Sequence, residues 1–250
     1  MKTRALIVML VLAVSLIAGA GRASAGPSTT DYQVWFERGG KLWLAKRVMP
    51  TTTTPAGATI KSLLAGPNAA EAKAGVGTRV PDGTSLVGIN LSGGTATIEL
   101  SQEFGDSKSA RLRIAQIVRT LTQFTTIDRV NIRVGATTIG PFTRTSTDNL
   151  LPAILVWNPA IGSHVTGSVR VTGSANVFEA ALTIRVLNDR GHSIATVHTT
   201  ASCGTGCRGG YSVLVPAKVR SDQLGTILVF GDNGNGQPSS VVRIPVVLTA

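Results

Sequence analysis

Apolar and polar residues alternate where the first half of the chain begins. Tyr32, Val34 and Phe36 share one strand face, Gly39-Gly40 mark a turn, and Leu42, Leu44 and Lys46 alternate on the return strand. The period then changes. Thr54 stands as an N-cap, Pro55 takes the first helical position, and Ile60, Leu63 and Leu64 recur at i, i+3 and i+4. Gly66-Pro67 ends that helix, because glycine accepts the left-handed cap conformation and proline cannot continue the ladder. A second hairpin is predicted after Pro81-Asp82-Gly83. Val87, Ile89 and Leu91 alternate inward, Gly93-Gly94 turn the chain, and Ala96, Ile98 and Leu100 alternate on the return.

The strongest helical pattern runs from about residue 109 to 124. Ala110, Ile114, Ile117, Val118, Leu121 and Phe124 form one apolar stripe, and Arg113, Gln116, Arg119, Thr120 and Gln123 take the opposite face. A strand with Val130, Ile132 and Val134 follows, held between Asp128 and Gly135. These elements predict an α+β N-terminal domain over residues 30–135, with two helices on a small sheet. Residues 136–151, with little periodicity and a Pro-, Thr- and Ser-containing stretch at 140–149, read as a linker.

From residue 152 to 250 the pattern is strand throughout. Val169 and Val171 alternate, as do Leu182, Ile184 and Val186, then Tyr211, Val213 and Val215, with further runs at 194–198, 227–230 and 241–248. Turn signals separate them at Asn188-Asp189-Arg190-Gly191, at 203–210 and at 231–236. Short strands at this spacing predict an all-β immunoglobulin-like sandwich. Pro245 interrupts the last run and favours an edge position there.

The first 25 residues read as a signal peptide. Lys2 and Arg4 precede an apolar run at 5–20, and Ala23-Ser24-Ala25 supplies the small residues of a cleavage site before Gly26. No cysteine lies near that site to carry a lipid, and nothing downstream is long and apolar enough to span a bilayer. The expected location is therefore extracytoplasmic. The chain has a net charge of +11, which falls by three to +8 once Lys2, Arg4 and Arg22 leave with the leader. Anionic wall polymers and lipid head groups are the polyanions met after export. Nucleic acid is not expected as a partner, since the basic residues are scattered and aromatics are few.

Cys203 and Cys207 have three residues between them in a glycine-rich loop, and in an exported chain that spacing predicts a disulfide. A metal site would need two more ligands, of which His198 is the nearest candidate. No metal, cofactor or catalytic set is predicted. His164, His192 and His198 have no cysteine nucleophile to serve, and no serine lies in a Gly-x-Ser-x-Gly elbow. Glu99 and Glu103 are the nearest approach to the carboxylate pair of a wall hydrolase. Residues 232–236 resemble a calcium loop but lack its distal glutamate, and they read as a turn. Glu179, beside Phe178, is expected to make a buried hydrogen bond to backbone. Arg111, Arg113 and Arg119 are the candidate basic binding surface on the long helix.

Three blocks in the first domain resemble a known family. Leu63-Leu64-Ala65-Gly66-Pro67, Thr78-Arg79-Val80-Pro81-Asp82-Gly83-Thr84 and Ile117-Val118-Arg119-Thr120-Leu121-Thr122-Gln123-Phe124 occur in the order and spacing of the GerMN domain, a sporulation and spore germination module. In the second domain, Ile154-Leu155-Val156-Trp157-Asn158-Pro159, Val171-Thr172-Gly173-Ser174-Ala175 and Asn176-Val177-Phe178-Glu179-Ala180 resemble the immunoglobulin-like domain of bacterial spore germination proteins. The resemblance implies a non-catalytic envelope protein that docks a protein partner or its own copies, ring assembly included. A module binding peptidoglycan or an anionic wall polymer is the first alternative, and a wall hydrolase the second. Family members are often lipoproteins, a pattern from which this chain departs.

Overall fold

Gly39 and Gly40 take left-handed backbone, with φ of 60° and 78°, and fold β1 (Thr29–Arg38) onto β2 (Lys41–Pro50). A two-residue turn of this hand matches the twist of the strands it joins. The computed structural model describes residues 28–106 and 110–250, so the expected leader and Ser109 lie outside the described residues. The hairpin is a two-stranded sheet of its own, buried on both faces. Val34, Phe36, Trp43 and Ala45 enter the main core, whereas Trp35, Leu42 and Leu44 form a second cluster with Ala115, Leu151 and Leu155. Register decides this, pairing Trp35 with Leu44 and Phe36 with Trp43. Leu42 and Leu44 therefore face away from Val34 and Phe36.

α1 (Pro55–Leu64) starts after Thr54, whose side chain makes no cap bond, with Pro55 opening the first turn. α2 (Ala69–Lys73) was not predicted. It is nucleated by a capping box, in which Asn68 and Glu71 exchange side-chain-to-backbone bonds of 2.9 Å each. Glu71 is 4 % exposed and also holds Arg47 through two bonds of 2.7 and 2.6 Å.

β3 (Leu86–Ser92), β4 (Thr95–Leu100), β5 (Arg129–Val134) and β6 (Thr137–Thr143) form a second sheet in that order. β4 and β5 are parallel, so a crossover must join them, and α3 (Ala110–Leu121) is that crossover. The N-terminal half thus contains two sheets, where one small sheet was expected. Two further expectations are corrected. A bulge between Leu86 and Gly88 shifts the phase of β3, so Leu86 faces Leu100 and the core while Val87 is 61 % exposed. Leu91, near the tip of this edge strand, is also largely exposed. The supposed linker contains β6, followed by a 3-10 turn at Thr145–Leu150. As an exposed edge strand carrying Pro141, β6 has no apolar alternation to betray it.

The C-terminal half comprises β7 (Ile154–Asn158), β8 (His164–Thr166), β9 (Ser168–Ala175), β10 (Ala181–Leu187), β11 (Ser193–Thr200), β12 (Gly209–Pro216), β13 (Gln223–Asp232) and β14 (Pro238–Thr249). They make a five-stranded sheet, β11-β10-β13-β14-β8, and a three-stranded sheet, β12-β9-β7. Val171, Tyr211 and Val215 on one, and Ile184, Val229 and Leu248 on the other, are buried in a common core. β14 is not the expected edge strand, because β8 pairs with it from Val247 onward. Pro245 is tolerated there for a local reason. Its carbonyl accepts from Gly162 N at 2.8 Å, so its missing N–H points to that side and removes no bond to β13.

Candidate functional site

The face of α3 that carries its polar residues is buried. Gln123 Nε2 donates to Gln33 O at 2.7 Å, and Gln123 Oε1 accepts from Gln33 N at 2.8 Å. Three and seven residues back, Thr120 Oγ1 accepts from Trp35 N at 3.1 Å and Gln116 Nε2 donates to Trp35 O at 3.1 Å. Glu37 and Gly77 complete the row by exchanging two backbone bonds. The open edge of β1 is therefore satisfied by helix side chains standing in for a strand.

The same burial breaks up the expected basic surface. Arg111 is exposed, but Arg113 and Arg119 are only 5 % and 4 % exposed. Arg113 lies over Phe104 at 4.7 Å, and Arg119 over Trp35 at 5.5 Å. Arg119 also donates to Thr147 Oγ1 at 2.7 Å and pairs with Asp148. Arg144 approaches the Trp35 ring at 5.7 Å, and Arg208, in the other half, donates to Pro152 O and Ser174 O on its own side. Burial pushes all three guanidinium pKa values below the ordinary value; Arg119 lowers those of Arg144 and Arg208 further, while Asp148 opposes the shift at each. Arg119, Arg144 and Arg208 thus come within electrostatic reach of one another where the halves meet.

An exposed feature sits at one end of the sandwich. Glu179 and Ala180 both adopt left-handed backbone, with φ of 52° and 57°, and Phe178 is left 47 % exposed. Non-glycine residues pay for that conformation, at about 1 kcal/mol or more each. The loop closed by the Cys203–Cys207 disulfide holds the turn in place. Glu179 N donates to Thr205 Oγ1 at 2.9 Å, Thr205 N to Val177 O at 2.9 Å, and Gly206 N to Asn176 Oδ1 at 3.0 Å. Gly204 passes so close that a Cβ there would stand 2.3 Å from Ala180 N. The Glu179 side chain is exposed, which corrects the expected buried bond; only its backbone is engaged.

The remaining candidates are dispersed. His164 and His192 are exposed, and His198 Nδ1 lies 3.0 Å from Thr183 Oγ1. Glu99 is paired with Arg133, and Glu103 stands in a separate 3-10 turn where hydrogen bonding, chiefly from Ser101, lowers its carboxyl pKa. Asp232 spends its carboxylate on its own loop, accepting from Gly234 N at 2.6 Å and Gly236 N at 3.1 Å. Among the described residues no group of three or more His, Cys, Asp and Glu could hold a metal, and no helix is long and apolar enough to cross a membrane.

The fold is a mixed α/β half followed by a β-sandwich with a clamped, aromatic-tipped turn. Two family models match the chain, one to each half. The Germane model, sporulation and spore germination, matches residues 32–139, and the Gmad2 model, immunoglobulin-like domain of bacterial spore germination, matches residues 153–236. The first GerMN domain of the sporulation protein GerM from Bacillus subtilis is similar at 20 % identity, covering 47 % of this chain and 99 % of that one with a TM-score of 0.38. The tandem GerMN domains of the same protein align at 15 % identity over 88 % of this chain and 61 % of that one, with a TM-score of 0.39. No curated protein matches the chain.

Proposed function

We propose that this chain is an exported, non-catalytic envelope protein that acts in a germination-related process as a protein-binding or assembly module. The clamped turn at Phe178 is its anchor for an envelope protein partner or a second copy. The carrying observation is that the Phe178 side chain is left 47 % exposed beside the left-handed Glu179 and Ala180, in a turn that three loop hydrogen bonds and a disulfide-closed loop hold. A side chain ordered in advance loses little freedom on binding, and buried aromatics dominate interface energies. The matches to a sporulation and spore germination domain and to an immunoglobulin-like domain of spore germination support the biological setting, and the leader-like first 25 residues support a location at the wall or membrane surface.

The test is a photo-crosslinking residue placed at Phe178 in intact cells, with one at Leu224 as control. Leu224 is 68 % exposed and lies at the opposite end of β13 from the turn. A discrete adduct from position 178 alone is expected, and its mass tells a partner from a copy of the chain. Equal adducts from both positions, or none from 178, would overturn the reading.

A further inference from the structure

Between the two halves lies a cavity of about 460 Å³, walled by the end of the first hairpin, residues 152–154 and β14. Pockets of roughly 300–1,000 Å³ hold ligands of many atoms rather than lone ions. Its wall carries Arg38, Lys41 and Arg243, and no acidic side chain. None of these three cations belongs to an ion pair among the described residues, whereas Arg47, Arg79, Arg119 and Arg133 each do.

Arg38 is held in place. Its guanidinium lies over the Trp43 ring at 4.6 Å and donates Nη1 to the Arg243 carbonyl at 2.8 Å. Lys41 Nζ donates to Asn149 O at 3.2 Å. Burial and the neighbouring Arg243 both depress the Arg38 pKa, so the site is one where positive charge is uncompensated. The far wall is deformed as well. Register along β13 and β14 jumps between the Val229–Val242 and Gly231–Ser239 pairs, and Ser240 within this bulge takes a left-handed φ of 54°. Bulges of this kind re-aim side chains beside functional sites, and strained non-glycine backbone gathers there.

We propose that this cleft binds the phosphate groups of a polyanionic chain, with Arg38, Lys41 and Arg243 as their contacts. A guanidinium presents a planar fork to phosphate oxygens and an ammonium presents a compact charge, so the set suits phosphate better than any neutral ligand. The contacts come from both halves, and a chain of linked phosphates offers several anionic groups to them where a single ion offers one. The ligand thus bridges the halves. This goes beyond the partner reading for Phe178, and the two stand or fall separately because the probe here involves no protein partner.

The experiment is calorimetric titration of the purified protein with short-chain inorganic polyphosphate, and separately with orthophosphate at equal phosphorus concentration. Polyphosphate is expected to bind, and Arg243→Gln is expected to weaken it about tenfold, as loss of a charge-assisted bond implies. Arg243 is the informative variant because its side chain is exposed and its carbonyl still receives Arg38. Lys41→Gln should act in the same direction. Arg190→Gln, an exposed cation on the turn before β11, should leave binding unchanged. Equal losses from Arg190→Gln and Arg243→Gln would show diffuse charge attraction and overturn the site. Orthophosphate binding as tightly as polyphosphate would overturn the polymer, and no binding of either would overturn both.

Discussion

The side-chain amide of Gln123 grips the backbone of Gln33, a residue 90 positions earlier, by donating to its carbonyl at 2.7 Å and accepting from its N–H at 2.8 Å. An amide has one donor and one acceptor group in the spacing that a neighbouring strand would offer. Gln116 and Thr120 lie at i and i+4 on α3 and Gln123 in the turn just past its end, so the helix face and its exit together follow the edge of β1.

Gln116 is the most exacting member of that row. It is fully buried, donates to Trp35 O and accepts from Arg79 N at 2.8 Å. Gln116→Leu leaves both backbone groups unpaired and is expected to destabilise the fold by about 2–4 kcal/mol. Chemical denaturation reads this directly, and a loss below about 0.5 kcal/mol would show that the row contributes nothing.

Asp148 is the acid that answers the buried arginines of the seam. It is 58 % exposed whereas Arg119 is 5 % exposed, so solvent screens part of the pair. Asp148→Asn should cost about 1–2 kcal/mol, because Arg119 then stays buried without a counter-charge. Adding Arg119→Met should recover most of that loss in thermal unfolding. A double variant less stable than the single one would contradict the assignment.

Gly173 is required by close approach. A Cβ there would stand 2.0 Å from Leu155 O and 2.5 Å from Tyr211 Oη. Gly173→Ala should destabilise by roughly 3 kcal/mol or more, through overpacking that neither partner can relieve. Gly191→Ala has open space but a φ of 78°, and it should cost only about 1 kcal/mol. Comparing the two melting curves separates crowding from backbone strain.

Glu179→Gly is expected to stabilise the protein by about 0.5–1 kcal/mol, because glycine accepts the φ of 52° without penalty. The same change should loosen the presentation of Phe178, so stability and crosslinking from position 178 should move in opposite directions. Parallel movement would mean that the strain serves no purpose in binding.

Tyr211 sets an alkaline limit. Burial raises its phenol pKa far above the ordinary value of 10.0, and its hydroxyl donates to Leu155 O at 3.2 Å. The folded state keeps the proton while the unfolded chain releases it. This contribution is therefore fully present below about pH 10 and is lost progressively as pH rises above it. Tyr211→Phe should lower stability at pH 8 by about 1 kcal/mol and flatten the fall between pH 10 and 12. An unchanged slope would exclude Tyr211 as its source.

The hairpin at Gly39-Gly40, the apolar stripe of α3 and the alternating strands of the second half were all legible, because each rests on local periodicity and turn chemistry. The loop disulfide was legible for the same reason, since its two cysteines are four positions apart. α2 had a readable signal in Asn68 and Glu71 that was missed, and β6 had none.

What the linear chain determines by itself is which faces differ and where the turns fall. What covers each face was decided only in three dimensions. The polar face of α3 looked like a solvated surface, yet amide and hydroxyl side chains can be buried at no loss when an open strand edge needs their bonds, and only the fold brings β1 there. The second face of the hairpin is covered by Ala115 of α3, by Leu151 in the connecting segment and by Leu155 of the other half. Arg38 and Arg243 are 205 positions apart, and no spacing rule links them. Their meeting depends on how two independently patterned halves pack, a long-range choice that periodicity does not encode.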